Sequence, residues 1–144
     1  MLCMPLQYIA GKMVVVRALV AGLTLILRTP SGHPLADVET PLRFAAMIPL
    51  QVYNTLQVPE EKERLCRTEI LIIGGGAINK ELEAEVRTLP NIVYSTYGMT
   101  ETFSQSVTFS VLDYPHKRDS VGKPLPGMQV RIDNPDADGV GEIH

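Results

Sequence analysis

Apolar positions along the chain fall into short runs separated by turn residues, and the spacing within each run predicts an element. Met13 to Ala21 is apolar with Gly22 behind it, which predicts a buried helix ended by a glycine. Leu23 to Leu27 is an aliphatic run that stops at Thr29-Pro30-Ser31-Gly32, which predicts a buried strand and a loop. Phe44 to Ile48 predicts a second strand. Pro49 then opens a helix to about Leu56, and Pro59-Glu60-Glu61 starts another, with acids at the positive end of its dipole.

The clearest pattern follows. Glu69 to Ile73 is a strand whose last four residues are aliphatic, and it runs into Gly74-Gly75-Gly76. Asn79 is a good N-cap, and Ile78, Leu82, Val86 and Leu89 share one helical face, with Glu83 and Arg87 paired on another. Asn91 to Ser95 is again a strand. Strand, glycine turn, helix and strand make a βαβ unit with parallel strands, so the fold class is α/β. From Val121 the character changes. Glycines and prolines punctuate short alternating strands at Met128–Ile132 and Val140–His144, a small β extension. The expected organisation is an α/β unit over residues 1–120 and the start of a β unit over 121–144.

Composition narrows the function. The 144 residues are 45% hydrophobic, enough for a real core, and the net charge of -3 gives no basic footprint for nucleic acid. Arg17 and Gly22 interrupt the apolar stretch from Met13 to Leu27, so it falls short of the roughly 18 unbroken apolar residues a membrane span needs and is expected in the core. No signal peptide is recognisable. Cys3 and Cys66 lie far apart without CxxC spacing, which fits reduced thiols and a cytoplasmic setting. The chain opens inside an apolar run and stops in a strand pattern, as expected of a piece of a longer protein.

Ligands of open α/β sheets bind beyond the carboxyl ends of the strands. At one such end, Gly74-Gly75-Gly76-Ala77 leaves backbone bare for a flat ring or a phosphate, or serves only as a tight turn. It lacks the third glycine of the dinucleotide fingerprint, where Asn79 stands, and no Walker motif follows it. At the other, Tyr97-Gly98-Met99-Thr100-Glu101 sets an aromatic ring, a hydroxyl and a carboxylate within five residues. Spacing alone allows a base on Tyr97, phosphate on Thr100 and Mg²⁺ on Glu101. It equally allows a core aromatic followed by a helix start. Asn134–Gly139 departs from the EF-hand pattern and is expected to be a turn between two strands, and the histidines at 33, 116 and 144 have no metal-ligand spacing. No Gly-x-Ser-x-Gly elbow is present, so an α/β-hydrolase is unsupported.

The run Tyr97-Gly98-Met99-Thr100-Glu101-Thr102 resembles the signature of the adenylate-forming superfamily. Pro5-Leu6-Gln7-Tyr8-Ile9-Ala10-Gly11 is similar to its Pro-Leu-aromatic-His-x-x-Gly segment, Gly74–Ala77 to its glycine turn, and Val121–Gly127 to its Gly-Lys-Pro-x-Pro-Gly loop, with Gly141-Glu142-Ile143 as the strand after it. The Ser95–Thr102 run is most similar to the o-succinylbenzoate–CoA ligase branch. The resemblance implies part of the large domain of an acyl-CoA ligase with ATP, Mg²⁺ and CoA as reactants and a small-molecule carboxylate as substrate; a homo-oligomer is one assembly it allows. It assigns adenine to Tyr97, Gly98 and the Gly75, Gly76 and Ala77 backbone, phosphate oxygens to Thr100, and the metal to Glu101. The acyl group falls to Tyr8, Gly74 and Thr96. Tyr8 replaces the family's histidine and Gln7 an expected aromatic, which is a departure. The family's lysine-bearing phosphate loop is expected before residue 1, and its ribose-binding aspartate and catalytic lysine after His144, so the chain by itself is expected to be inactive. A non-catalytic nucleotide-binding module of the same fold is the competing reading, and the Thr100–Glu101 pair argues against it.

Overall fold

The structure, a computed structural model, describes residues 1–102, 107–110 and 122–144. Three parallel strands form its centre: β1 (Phe44–Met47), β2 (Ile70–Ile73) and β3 (Ile92–Tyr97). Two antiparallel strands, β4 (Val107–Ser110) and β5 (Lys123–Pro124), extend the same sheet in the order β1-β2-β3-β4-β5. Helix α1 (Ile9–Val20) precedes the sheet, α2 (Pro49–Gln57) and α3 (Pro59–Cys66) connect β1 to β2, and α4 (Lys80–Val86) connects β2 to β3. The predicted βαβ unit is therefore present, with both strands parallel.

Side-chain alternation sends the two faces of the sheet to different layers. Ala45, Met47, Leu71, Ile73 and Val93 are buried with Val52 and Leu56 of α2, Leu65 of α3, and Leu82 and Val86 of α4. Ala46 and Ile72 lie on the opposite face, against Leu2 and Val14 of the α1 layer. Each fully buried Leu, Ile, Val or Met contributes about 1.5–3 kcal/mol, so the α2–α4 face holds most of the stabilisation.

Several predicted boundaries shift. Helix α1 starts at Ile9 rather than Met13, because Gly11 fits against the Pro5 carbonyl, where a side chain would come within 2.4 Å. Gly22 does follow its end, at φ +62°. The apolar stretch from Met13 to Leu27 is only half core: Val14 and Ala18 are buried, whereas Leu19 and Val20 are 76% and 84% exposed. Leu23–Leu27 is not a buried strand either. Only Leu27 pairs, in a single parallel bridge to Leu2, and it is exposed. The C-terminal strands are shorter than predicted: β6 (Ile132–Asp133) and β7 (Glu142–Ile143) form an exposed antiparallel pair. Asn134–Gly139 is the turn between them, closed by Asp136 Oδ1 accepting from the Asp138 and Val140 amides. Lys123–Pro124 joins the main sheet through β4; the 120/121 boundary, Val121 and His116 lie outside the described residues. Among the described residues no helix is long and apolar enough to cross a membrane.

Candidate functional site

The register of the parallel strands sets the site. Met47 stands opposite Ile73, and Ile73 opposite Ser95. The strands thus end level, and the segments leaving them (Ile48–Pro49, Gly74–Ala77 and Tyr97–Glu101) emerge along one edge. The N-terminal segment reaches the same edge. The Met1 amino group donates to Phe44 O at 2.9 Å and the Cys3 thiol to Ala46 O at 3.4 Å, so residues 1–3 run beside β1 and deliver Pro5–Tyr8 next to its end.

Gln51, which sequence reasoning passed over, ties this edge together. It is buried, its Oε1 accepts from Ile48 N at 3.2 Å, and its Nε2 donates to Ser31 O at 2.8 Å and Cys3 O at 3.3 Å. The local signal was present: a glutamine two residues after a helix-opening proline sits where a side chain can reach back to the N-cap amide. Its long-range partners were not visible in the sequence.

Gly74 N extends the ladder by donating to Met47 O at 3.2 Å. Its missing side chain is required, since a Cβ would lie 2.5 Å from Thr96 Oγ1. Gly75 turns the chain at φ +79°, a conformation that favours glycine. Gly75, Gly76 and Ala77 are exposed, with Gly76 beside Pro49. Asn79 then caps α4, its Oδ1 accepting from Leu82 N at 2.8 Å. The glycine turn thus presents bare backbone at the edge.

On β3, Thr96 and Tyr97 point to opposite faces. Tyr97 follows the parity of buried Val93, on the α2–α4 side, and is itself half-buried. Thr96 follows Tyr94, the partner of Ile72, on the α1 side, and its hydroxyl donates to Ile73 O at 3.5 Å. Gly98 is half-buried, and Thr100–Thr102 forms a 3₁₀ turn that exposes Thr100 and Glu101. Tyr8, the N-cap of α1, is 60% exposed. Every sequence-predicted site residue therefore lies on one sheet edge, divided between its two sides: Tyr97 and the glycine turn into α4 on one, Thr96 and α1 on the other.

Among the described residues no group of three or more His, Cys, Asp or Glu side chains could enclose a metal. Glu101 offers one exposed hard oxygen donor, a set that suits Mg²⁺, which keeps several waters and takes one or two carboxylates alongside phosphate oxygens. His33 is engaged elsewhere. His33 Nδ1 pairs with buried Glu61 at 2.9 Å, and Glu61 also accepts from Thr55 Oγ1, which ties the 29–33 loop to α2 and α3. A concavity of about 480 Å³ lined by Val14, Arg17, Leu25 and Phe44 opens at the amino ends of the strands, the edge opposite the motifs. It gathers no group of complementary chemistry.

A sequence model of AMP-binding enzymes matches residues 1–144. The chain is 37% identical over 134 residues to 2-succinylbenzoate–CoA ligase of Lactococcus lactis, covering 86% of this chain and 30% of that protein. Among solved structures it is similar to o-succinylbenzoate CoA synthetase of Bacillus subtilis in complex with the acyl-adenylate intermediate, with a TM-score of 0.77 and 27% identity, over 98% of this chain and 30% of that one. The same enzyme in complex with ATP and magnesium ion gives a TM-score of 0.77 at 26% identity, over 98% and 31% of the two chains. The chain thus spans about 30% of the length of the curated relatives it matches.

Proposed function

Since this chain belongs to the AMP-binding enzyme family, we propose that the complete protein is an AMP-forming acid–CoA ligase acting on o-succinylbenzoate. The carboxylate attacks the α-phosphorus of ATP and pyrophosphate leaves; the CoA thiol then attacks the acyl carbon and AMP leaves. The observation that carries this reading is the meeting of the glycine turn and the Tyr97–Glu101 segment at the carboxyl edge of one parallel sheet. The choice of acid is supported by the 2-succinylbenzoate–CoA ligases among the relatives.

Each residue then has a part. Tyr97 and the Gly75–Ala77 backbone enclose the adenine, and Gly98 lets the chain pass close to it. Thr100 donates its hydroxyl to phosphate oxygen. Glu101 holds Mg²⁺, which when bound neutralises phosphate charge. Gly74, Thr96 and Tyr8 border the acyl group on the α1 side. Catalysis comes mainly from holding carboxylate and α-phosphorus in line, with donors aimed where charge develops. Tyr8 where the family carries histidine favours a second reading, in which a different aryl or fatty acid is activated by the same chemistry.

The test is the full-length protein with ATP, CoA and a panel of o-succinylbenzoate, benzoates and fatty acids, with the thioester detected by mass. o-Succinylbenzoyl-CoA is the expected product. A thioester from another acid only would replace the substrate, and no carboxylate-dependent ATP–pyrophosphate exchange with any acid would remove the ligase. Residues 1–144 alone are expected to show no exchange.

A further inference from the structure

Gly74 and Thr96 meet across β2 and β3, one residue before each wall of the proposed adenine slot begins. A methyl group on Gly74 would lie 2.5 Å from Thr96 Oγ1 and 3.4 Å from the Thr96 carbonyl oxygen. The first distance is impossible for real atoms. The Thr96 hydroxyl therefore fills the volume that a side chain at position 74 would need, while donating to Ile73 O.

On its other flank the turn has about a methyl group of clearance, so a side chain at position 74 would push it that way, away from Thr96. Side chains at 75 and 76 would stand 3.5 Å from Ile48 Cγ2 and 3.6 Å from Pro49 Cγ, ordinary contact distances. Ile48 and Pro49 are held in turn by Gln51, whose carboxamide bonds Ile48 N, Cys3 O and Ser31 O. The turn thus lies between the fixed start of α2 and the Thr96 hydroxyl, with its only close approach on the Thr96 side.

We infer that Gly74 and Thr96 are positioning residues whose contact sets the separation between the Gly75–Ala77 backbone and Tyr97, and hence the width of the slot for the base. The inference rests on the proposed function for the identity of the ligand, and goes beyond it in giving these residues a role other than direct contact with the acyl group. A planar ring held between backbone and an aromatic face is sensitive to wall separation, because stacking and dispersion fall steeply once the gap opens by half an ångström or so. CoA is assigned to neither wall, so its apparent affinity is indifferent to their separation.

The test uses the full-length enzyme and complementation. Gly74→Ala should raise the KM for ATP and the Kd for AMP by roughly tenfold, with the KM for CoA within about twofold of the parent. Thr96→Ser, which keeps the oxygen, should keep the Kd for AMP within about twofold of the parent. In the double variant Gly74→Ala/Thr96→Ala the new methyl group takes the space of the lost hydroxyl, so ATP KM and AMP Kd should return to within about threefold of the parent. Should Gly74→Ala not fold, a folded double variant with near-parental AMP affinity gives the same support. The inference is overturned if Gly74→Ala binds AMP as the parent does, if the double variant is no better than the single, or if all substrates lose affinity together, as a general loss of structure would produce. A parent that binds no AMP and catalyses no exchange overturns the proposed function and this inference with it; parental binding with indifferent variants overturns the inference alone.

Discussion

Replacing Asn91 by alanine should destabilise the sheet by about 2–4 kcal/mol while leaving the affinity for AMP unchanged. Asn91 is buried at the entry to β3, and its Nδ2 donates to Leu65 O at 2.9 Å and to Thr68 O. Those carbonyls belong to the end of α3 and the approach to β2, so one side chain pins the start of β3 to the segment before its neighbour. Truncation removes both donations, each worth about 1 kcal/mol net, and exposes Thr68 O to a further desolvation cost of about 1–3 kcal/mol. Leu65 O suffers less, because it still accepts from Thr68 N at 2.8 Å. On the other side of the ledger, Asn91 Oδ1 has no hydrogen-bond partner among the described residues. Deleting that buried oxygen recovers on the order of 1 kcal/mol. The difference leaves about 2–4 kcal/mol. Asn91→Asp should cost more, since it turns a carboxylate with no donor toward two carbonyls.

The assay is native-state hydrogen exchange by mass spectrometry on the full-length protein, read at β3 peptides, because local opening is resolved there where a single global transition is not. AMP affinity is measured on the same samples. A loss of protection below about 0.5 kcal/mol in Asn91→Ala, or parental protection in Asn91→Asp, would refute the reasoning.

Four further outcomes are expected. In the full-length enzyme Glu101→Gln should lower the adenylation rate by roughly 100-fold or more with little change in acid affinity, measured by pyrophosphate exchange; an unchanged rate removes Glu101 from the metal role. Asn79→Ala removes the acceptor of Leu82 N and should cost about 1 kcal/mol, read as protection of α4 amides, with Asn79→Asp close to the parent. Burial pushes the Cys3 thiol up from 9.0 to about 11, so the folded state favours its protonated form. The stability this gives is complete below pH 9.0 and is lost as pH rises toward about 11, a loss that Cys3→Ala should diminish in denaturation measured across that window. At pH 8, iodoacetamide followed by peptide mapping should label half-buried Cys66 ahead of Cys3.

The parts of the fold legible in the sequence are those whose cause is local. The β2–α4–β3 unit could be read because four aliphatic residues, a glycine turn, an asparagine cap and a helical apolar stripe follow one another without a gap, and each acts on its immediate neighbours. Distant residues decided what was missed. Glu61 reads as an acid favouring a helix N-terminus, yet it is buried, because His33 and Thr55 meet it there. Gln51 and Asn91 read as ordinary polar positions, yet each clamps carbonyls 20 or more residues away. The terminal strands failed for a related reason: alternation predicts a pleat, but Ile132 and Ile143 remain 42% and 44% exposed, so little apolar burial extends their pairing beyond two residues.

The candidate site shows the same division in sharper form. The motif residues could be found in the sequence; the side of the sheet each one serves could not. Thr96 and Tyr97 are neighbours in the chain and opposites in space, and which of them faces α4 depends only on the parity of β3. That parity is fixed where Val93 enters the core and where Asn91 ties the strand's first residue to Leu65 and Thr68. A slip of one residue would carry every β3 side chain to the other face. Thr96 would then replace Tyr97 on the α4 side, and a tyrosine ring would collide with Gly74, where even a methyl group has no room. The Tyr97–Glu101 segment therefore takes its place beside the glycine turn only through a register set at the opposite end of its strand.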